Sequence, residues 1–340
     1  MNIVVAKFGG TSMGSADSIK LVADIIFSNQ KRKVIVVSAL SGVTDKLLNL
    51  GRLAENNEMW QDEYNELIER HEEVRIGLNL DISLSDYYFE INQLVQGISM
   101  VSDFSAHSQD HLLSFGERLS SFILAEFLKT RTEVVLADSL NFIKTDSEFT
   151  NATVDWQATI KMVEKNIKTN LAENKIVICA GFVGSDEDGE YTTLSRGGSD
   201  YTAAILANIL EGDGLEIWTD VDGIMTADPH LISEAKTIES ISFNEAAELA
   251  YFGAKVLHPK TIQPAVEKNI PVFVLNTFDP KNKGTKICSQ SNNNIKSVAY
   301  KKNIKILNIC STRMLEASGF LNKIFSLFEE FGVVVDVVST

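Results

Sequence analysis

Cysteine is scarce in this chain. Cys179, Cys288 and Cys310 are the only three among 340 residues, and their spacing matches no metal-ligand pattern. Each reads as a small apolar side chain or an incidental thiol, and the scarcity suits a reducing compartment. Positive charge is in deficit as well. Lys and Arg number 31 against 46 Asp and Glu, a net charge of −15. The short basic stretches "NQKRKVIVV" and "YKKNIK" lie beside apolar strand-like runs, so no nucleic-acid partner is expected. No apolar run approaches the ~20 residues of a membrane-spanning helix, and no membrane partner is expected. The first residues enter a strand directly and leave no room for a signal peptide, which gives a soluble, cytoplasmic protein as the expectation. Two named nucleotide patterns are also missing. "GGTSMGS" is not GxxxxGK[ST], which disfavours an ordinary P-loop. The opening has no GxGxxG with an acidic ribose ligand, which weakens a Rossmann assignment.

The residues that are present describe an α/β chain. "NIVVAKF" is a buried-strand pattern, "SADSIKLVADIIFSNQ" an amphipathic helix with a serine cap, and "KVIVVSAL" a second buried strand. That rhythm predicts parallel strands. From Thr44 to about Leu128 the pattern is almost wholly helical, an insertion expected to lie over a sheet edge as a lid or as one wall of a pocket. "TEVVLADS", "KIVICAGFVG", "LEIWTD" and "IPVFVLNT" read as further strands. "DWQATIKMVEKNIKTNLAEN" and "SDYTAAILANIL" read as helices, as does "FNEAAELAYFGAKVL". "SDEDGEYTTLS" reads as a polar hairpin turning at Gly189; it lacks the ligand pattern of a calcium loop. A boundary is expected near "SQSNNNIKS". Beyond it "IKILNIC", "GFLNKIFSLFEEFG" and "VVVDVVST" predict strand, helix, strand. Those last 45 or so residues are too few to bury a stable core alone.

Three glycine-containing junctions carry the chemistry. Lys7–Gly10 closes the first strand, Gly181–Gly184 follows "KIVICA", and Ser195–Asp200 ("SRGGSD") precedes a helix. Glycines expose backbone N–H groups, and a helix start presents unpaired ones, so each junction can hold an anion. A lysine at the end of a buried strand needs an anionic partner, and Arg196 adds a rigid bidentate donor. Together the three predict one shared crevice at strand ends. "IWTDVDGIMTADP" sets Asp220, Asp222 and Asp228 in a loop after a strand. They suit metal-bound water, ribose or the loop's own backbone, and the pattern does not divide these roles. Glu117 in "SFGERLS" reads as the start of a helix facing the cleft, where it would accept an ammonium group or only favour the helix end. Lys255 in "GAKVLHP" is a candidate for phosphate, with His258 a turn or packing residue.

In combination, "KFGGTS", "SFGERLS", "GFVGS", "TTLSRGGSDYTA", "IWTDVDGI" and "FGAKVLHP" resemble aspartate kinases of the amino-acid kinase family, the lysine-sensitive bacterial form in particular. The likeness runs the length of the chain. It implies a catalytic domain over 1–295, with a central, largely parallel sheet and helices on both faces. It also implies a partial ACT-like regulatory segment over 296–340, in which "STRMLEASGFL" resembles an effector loop. The implied reaction is transfer of the γ-phosphoryl group of ATP, with Mg²⁺, to the side-chain carboxylate of L-aspartate. By the same resemblance Lys7, Arg196 and Lys255 are catalytic. Lys7, Phe8, Gly9, Gly10, Thr219, Asp220, Met225, His230, Lys255 and Val256 lie by the nucleotide. Thr44, Glu117, Arg196, Gly197, Gly198 and Ser199 face aspartate. The family often has tyrosine and arginine where Met225 and His230 stand, so stacking and a permanent positive charge do not carry over to those positions. Lysine as an effector and a homodimer through complete ACT domains belong to the full architecture; the tail holds only its first half, so weak or absent lysine control is expected. An acetylglutamate kinase-like enzyme and a non-catalytic nucleotide or amino-acid sensor are the competing readings.

Overall fold

A computed structural model describes residues 3–195, 197–229, 231–251, 257–290, 297–298, 305–309, 319–333, 335 and 338. The chain divides into two compact units, Met1–Tyr300 and Lys301–Thr340.

The first unit opens with β1 (Val4–Phe8), α1 (Ala16–Ser28) and β2 (Arg32–Val37), as the apolar runs and the Ser15 capping box require. Four helices follow: α2 (Val43–Glu55), α3 (Gln61–Gly77), α4 (Ser85–Val101) and α5 (Ala106–Lys129). Then come β3 (Val134–Ala137) and α6 (Trp156–Val163), which runs through a π-turn at Glu164–Lys168 into α7 (Thr169–Ala172). β4 (Ile176–Ala180) leads to the hairpin β5 (Val183–Ser185) and β6 (Tyr191–Thr193), which turns at Gly189 with φ +86°. α8 (Gly198–Leu210), β7 (Gly214–Thr219), β8 (Ser240–Ser242), α9 (Phe243–Tyr251), α10 (Gln263–Glu267), β9 (Val272–Asn276) and β10 (Thr285–Cys288) complete it.

Eight strands form one sheet in the order β3-β4-β2-β1-β7-β9-β10-β8, parallel throughout except for the β9–β10 pair. Side chains alternate across it and build two cores. Ala6, Phe8, Ile35, Val37, Ile176 and Ile178 face one, with buried residues of α1 to α5. Val5, Val34, Val36, Val177 and Cys179 face the other, with α8 against them. The helical insertion covers one face of the sheet at its β3 edge, with α5 packed over β3, β4 and β2. Lys7 shares the pleat side of Val5, which is the side where α8 begins. The strand order reverses at β1: β2 lies on one side and β7 on the other. A parallel α/β sheet leaves its ligand crevice at such a switch point, beyond the carboxyl ends of the strands.

In the second unit α11 (Phe320–Glu330) follows Gly319 at φ +83°. Lys305–Ile309, within the expected strand "IKILNIC", are not in a strand. Ile306, Leu307 and Ile309 are exposed and pair with no strand among the described residues, so their apolar pattern alone does not make a strand. The expected strand "VVVDVVST" lies largely outside the described residues, as do Cys310 and most of "STRMLEASGFL".

Candidate functional site

A cleft of about 670 Å³ opens beyond the carboxyl ends of β1, β2 and β7. That volume suits a ligand of cofactor size. Lys7, Gly9 and Gly10 form its floor, and Thr219 and Asp220 at the end of β7 stand beside them. Thr44 and Glu117 come from α2 and α5. Gly197, Gly198 and Ser199 come from the start of α8. Residues from the strand ends and from the helical insertion thus meet in one place.

The Lys7 ammonium lies 2.7 Å from Oδ1 of Asp200, with the two side chains 12% and 16% exposed. Asp200 sits in the first turn of α8, where the helix end favours a carboxylate. It balances Lys7, which explains how a lysine can stand on a strand between buried neighbours. The Gly9 N–H is committed to the Trp218 carbonyl at 3.0 Å, so Gly9 ties β1 to β7 instead of offering a free donor. Phe8 is fully buried, and its ring stacks on Trp218 with centroids 6.0 Å apart. It belongs to the core beneath the cleft and is not among its lining residues.

Two glycines shape the substrate side by close approach. A Cβ on Gly181 would stand 2.6 Å from Cβ of Ser199 and 2.7 Å from its Cα. Gly197 caps α8 at φ +82°, a left-handed conformation that favours glycine. The Gly181–Gly184 junction therefore supports the cleft more than it lines it. Gly184 packs against Ile143, and Phe182, at φ +67°, is its contribution to the lining.

Glu117 lies in the middle of α5, not at a helix start. The preceding glycine ends nothing; it lets α5 approach Ala39, whose Cβ would lie 2.8 Å from a Cβ on Gly116. Glu117 is 4% exposed, and its Oε2 has no hydrogen-bond partner. Burial pushes its carboxyl up to about 8, against the lowering effects of the Ala39 backbone and the Lys7 charge. A buried carboxyl with an unpartnered oxygen at a cleft wall can accept a hydrogen-bond donor from a ligand.

Met225 is half-buried, bridges to Thr237, and does not line the cleft. Arg196, His230, Lys255 and Val256 lie outside the described residues. His258 is exposed, and its carbonyl accepts from the N–H and hydroxyl of Thr261 at 2.9 and 2.7 Å, a turn residue as expected. Asp222 accepts from the Asn276 amide at 2.6 Å, so it braces the loop after β7. Sequence reasoning assigned no individual role to Asp200 or Phe182, which lie inside the marked junctions, and none to Gln109, Thr150 or Thr193. Of these, Asp200 carried a signal, since it closes "SRGGSD" at a helix start. The others reach the cleft through contacts between distant segments.

A family model described as the amino acid kinase family matches residues 2–276. The chain is 40% identical to aspartokinase 1, chloroplastic, of Arabidopsis thaliana over 99% of its own length, and spans 61% of that protein. It is 36% identical to lysine-sensitive aspartokinase 3 of Escherichia coli, again over 99% of its length and over 76% of the relative. Among solved structures, E. coli aspartokinase III in complex with aspartate and ADP superposes with a TM-score of 0.86 at 35% identity, covering 100% of this chain and 76% of that one.

Proposed function

The chain belongs to the amino acid kinase family, and on that footing we propose that it transfers the γ-phosphoryl group of ATP to the side-chain carboxylate of L-aspartate, giving 4-phospho-L-aspartate. The observation that carries the choice of acceptor is Glu117, a buried carboxyl whose Oε2 is left without a partner at the cleft wall. A free α-ammonium group satisfies it. An N-acylated amino acid would leave it unsatisfied, and so would a simple diacid, at a cost of the full desolvation of that oxygen.

The cleft then has two sides. Lys7 and the Gly10 turn serve the phosphates, and Thr44, Glu117 and the Gly197–Ser199 turn serve the amino acid, with Arg196 as its carboxylate partner. The nucleophile is a carboxylate already ionised near neutral pH, so no general base is required. Lys7 neutralises charge on the transferring group, and Asp200 keeps the ammonium aimed into the cleft. Glu117 is buried and Lys7 largely so, and their low-dielectric surroundings strengthen these interactions. Mg²⁺ fits as an ion held mainly by phosphate oxygens. Among the described residues no cluster of three metal-ligating side chains exists, yet Asp220 faces the cleft and would hold the ion or its water. When bound, Mg²⁺-ATP supplies the phosphoryl group and part of the charge neutralisation.

The same reading takes residues 296–340 as an ACT-like segment under weak or absent control by lysine. It also places the protein in the cytoplasm; among the described residues no helix is long and apolar enough to cross a membrane. ADP release measured with L-aspartate, N-acetyl-L-glutamate and no acceptor tests the acceptor assignment. Aspartate alone should raise the rate, and equal rates with all three would contradict the assignment.

A further inference from the structure

Asp110 is fully buried on α5, two turns before Glu117, and does not line the cleft. Its carboxylate is used entirely on two segments that do. Oδ2 accepts the backbone N–H of Thr150 and that of Thr193, both at 2.8 Å. Oδ1 accepts the Thr193 hydroxyl at 2.5 Å. The Ala152 N–H donates to the Thr193 carbonyl at 3.1 Å, which ties the same two segments directly. Thr150 has φ +70°, a left-handed conformation that a β-branched residue adopts only when its surroundings impose it. Here the Asp110 bond to its N–H is part of that imposition.

The tie has a consequence for the cleft. Thr193 ends β6, four residues in sequence before Gly197 at the start of α8. Asp110 and Glu117 are seven residues apart on one helix and so share a face. The wall that carries Glu117 and the start of α8 are therefore referenced to each other through one buried carboxylate. We propose that Asp110 is a positioning residue that fixes the separation between Glu117 and Gly197–Ser199 at the start of α8, and so sets the length of amino acid the cleft accepts. This rests on the reading of Glu117 as the receptor for the substrate's ammonium group. A substrate gripped at its ammonium end by one wall and at its carboxylates by the other is measured by that separation. Apolar pockets discriminate a single methylene only weakly, whereas a fixed spacing between two charged grips penalises the longer acid at both ends.

The test is Asp110→Asn, which keeps the shape but offers one carbonyl oxygen where three donors converge. KM and kcat are measured for L-aspartate, for L-glutamate and for ATP, with amide exchange followed at Thr150 and Thr193. The expected result is an aspartate KM raised about tenfold or more and an ATP KM within about twofold of wild type. The preference for aspartate over glutamate should fall at least tenfold, and both amides should exchange faster. Thr193→Val, which removes only the hydroxyl bond, should show the same pattern to a smaller extent and carries the test if Asp110→Asn does not fold. An unchanged aspartate-to-glutamate preference in a wild-type background that turns over aspartate would overturn the proposal. Aspartate and ATP KM values rising together would overturn it as well, as would unaltered amide exchange. A wild-type chain that turns over no aspartate would instead overturn the substrate reading on which the length rule stands.

Discussion

Replacing Glu117 with glutamine removes a carboxyl that the fold holds at a cost. Burial raises that group from the 4.5 of an ordinary glutamate to about 8. Between those values the folded chain keeps a proton that the unfolded chain has released, so stability falls as pH rises through this window. At 1.36 kcal/mol per pH unit the full displacement corresponds to about 5 kcal/mol, of which about 4 kcal/mol accrues between pH 5 and pH 8.5. Glutamine has the same shape and no such slope. In urea titrations of the ligand-free protein, the stability of Glu117→Gln relative to wild type should therefore improve steadily from pH 5 to pH 8.5, by about 4 kcal/mol. The same variant should lose aspartate affinity about tenfold to a hundredfold, the worth of a hydrogen bond to a charged group, with ATP binding preserved. Aspartate binding to wild type below pH 8 should release a proton, read by calorimetry in buffers of different ionisation enthalpy. Stability curves for wild type and variant that run parallel across this range would refute the reasoning, because Glu117 would then titrate as an ordinary carboxylate.

Lys7→Ala should fold, as judged by circular dichroism, yet lose about 10²–10³ in kcat/KM, the scale of one donor that stabilises charge in the transition state; wild-type kcat/KM in the folded variant would contradict its role. Gly181→Ala forces a methyl group against Ser199 and should cost about 1–3 kcal/mol in urea titration while raising the aspartate KM; unchanged values of both would mean that the turn before α8 is free to yield. Chelation by EDTA should abolish aspartate-dependent turnover, with recovery on excess Mg²⁺ and no change in Tm, and turnover that persists in EDTA would contradict a divalent ion on the phosphate side.

The parts of the site that the sequence made legible are those written as contiguous stretches at strand ends. Lys7–Gly10 and Thr219–Asp220 follow apolar runs of strand type, and Gly197–Ser199 precedes a helical pattern, so each could be placed on an element and aimed at a common crevice. Glu117 was legible as a residue but not in its setting. A glycine before it reads as a helix boundary, and only the approach of Ala39 to Gly116 explains a glycine inside a 24-residue helix. The Asp110 tie was invisible, since it joins positions 40 and 83 residues apart through backbone N–H groups that any residue carries. The fold behaves the same way. Buried parallel strands were readable from unbroken apolar runs, whereas "IKILNIC" has the same composition and is not a strand over Lys305–Ile309. A strand is completed by its neighbours, and local pattern does not supply them.

The central claim is a transfer from ATP to the side-chain carboxylate of aspartate, whose product is an acyl phosphate. Hydroxylamine traps acyl phosphates as hydroxamates, so the direct measurement is hydroxamate formed per ADP released with L-aspartate as acceptor, using the whole chain and Mg²⁺-ATP. The expected product is aspartyl hydroxamate in one-to-one ratio with ADP, and none without aspartate. ADP release with no hydroxamate, or hydroxamate formed from N-acetyl-L-glutamate but not from aspartate, would contradict it.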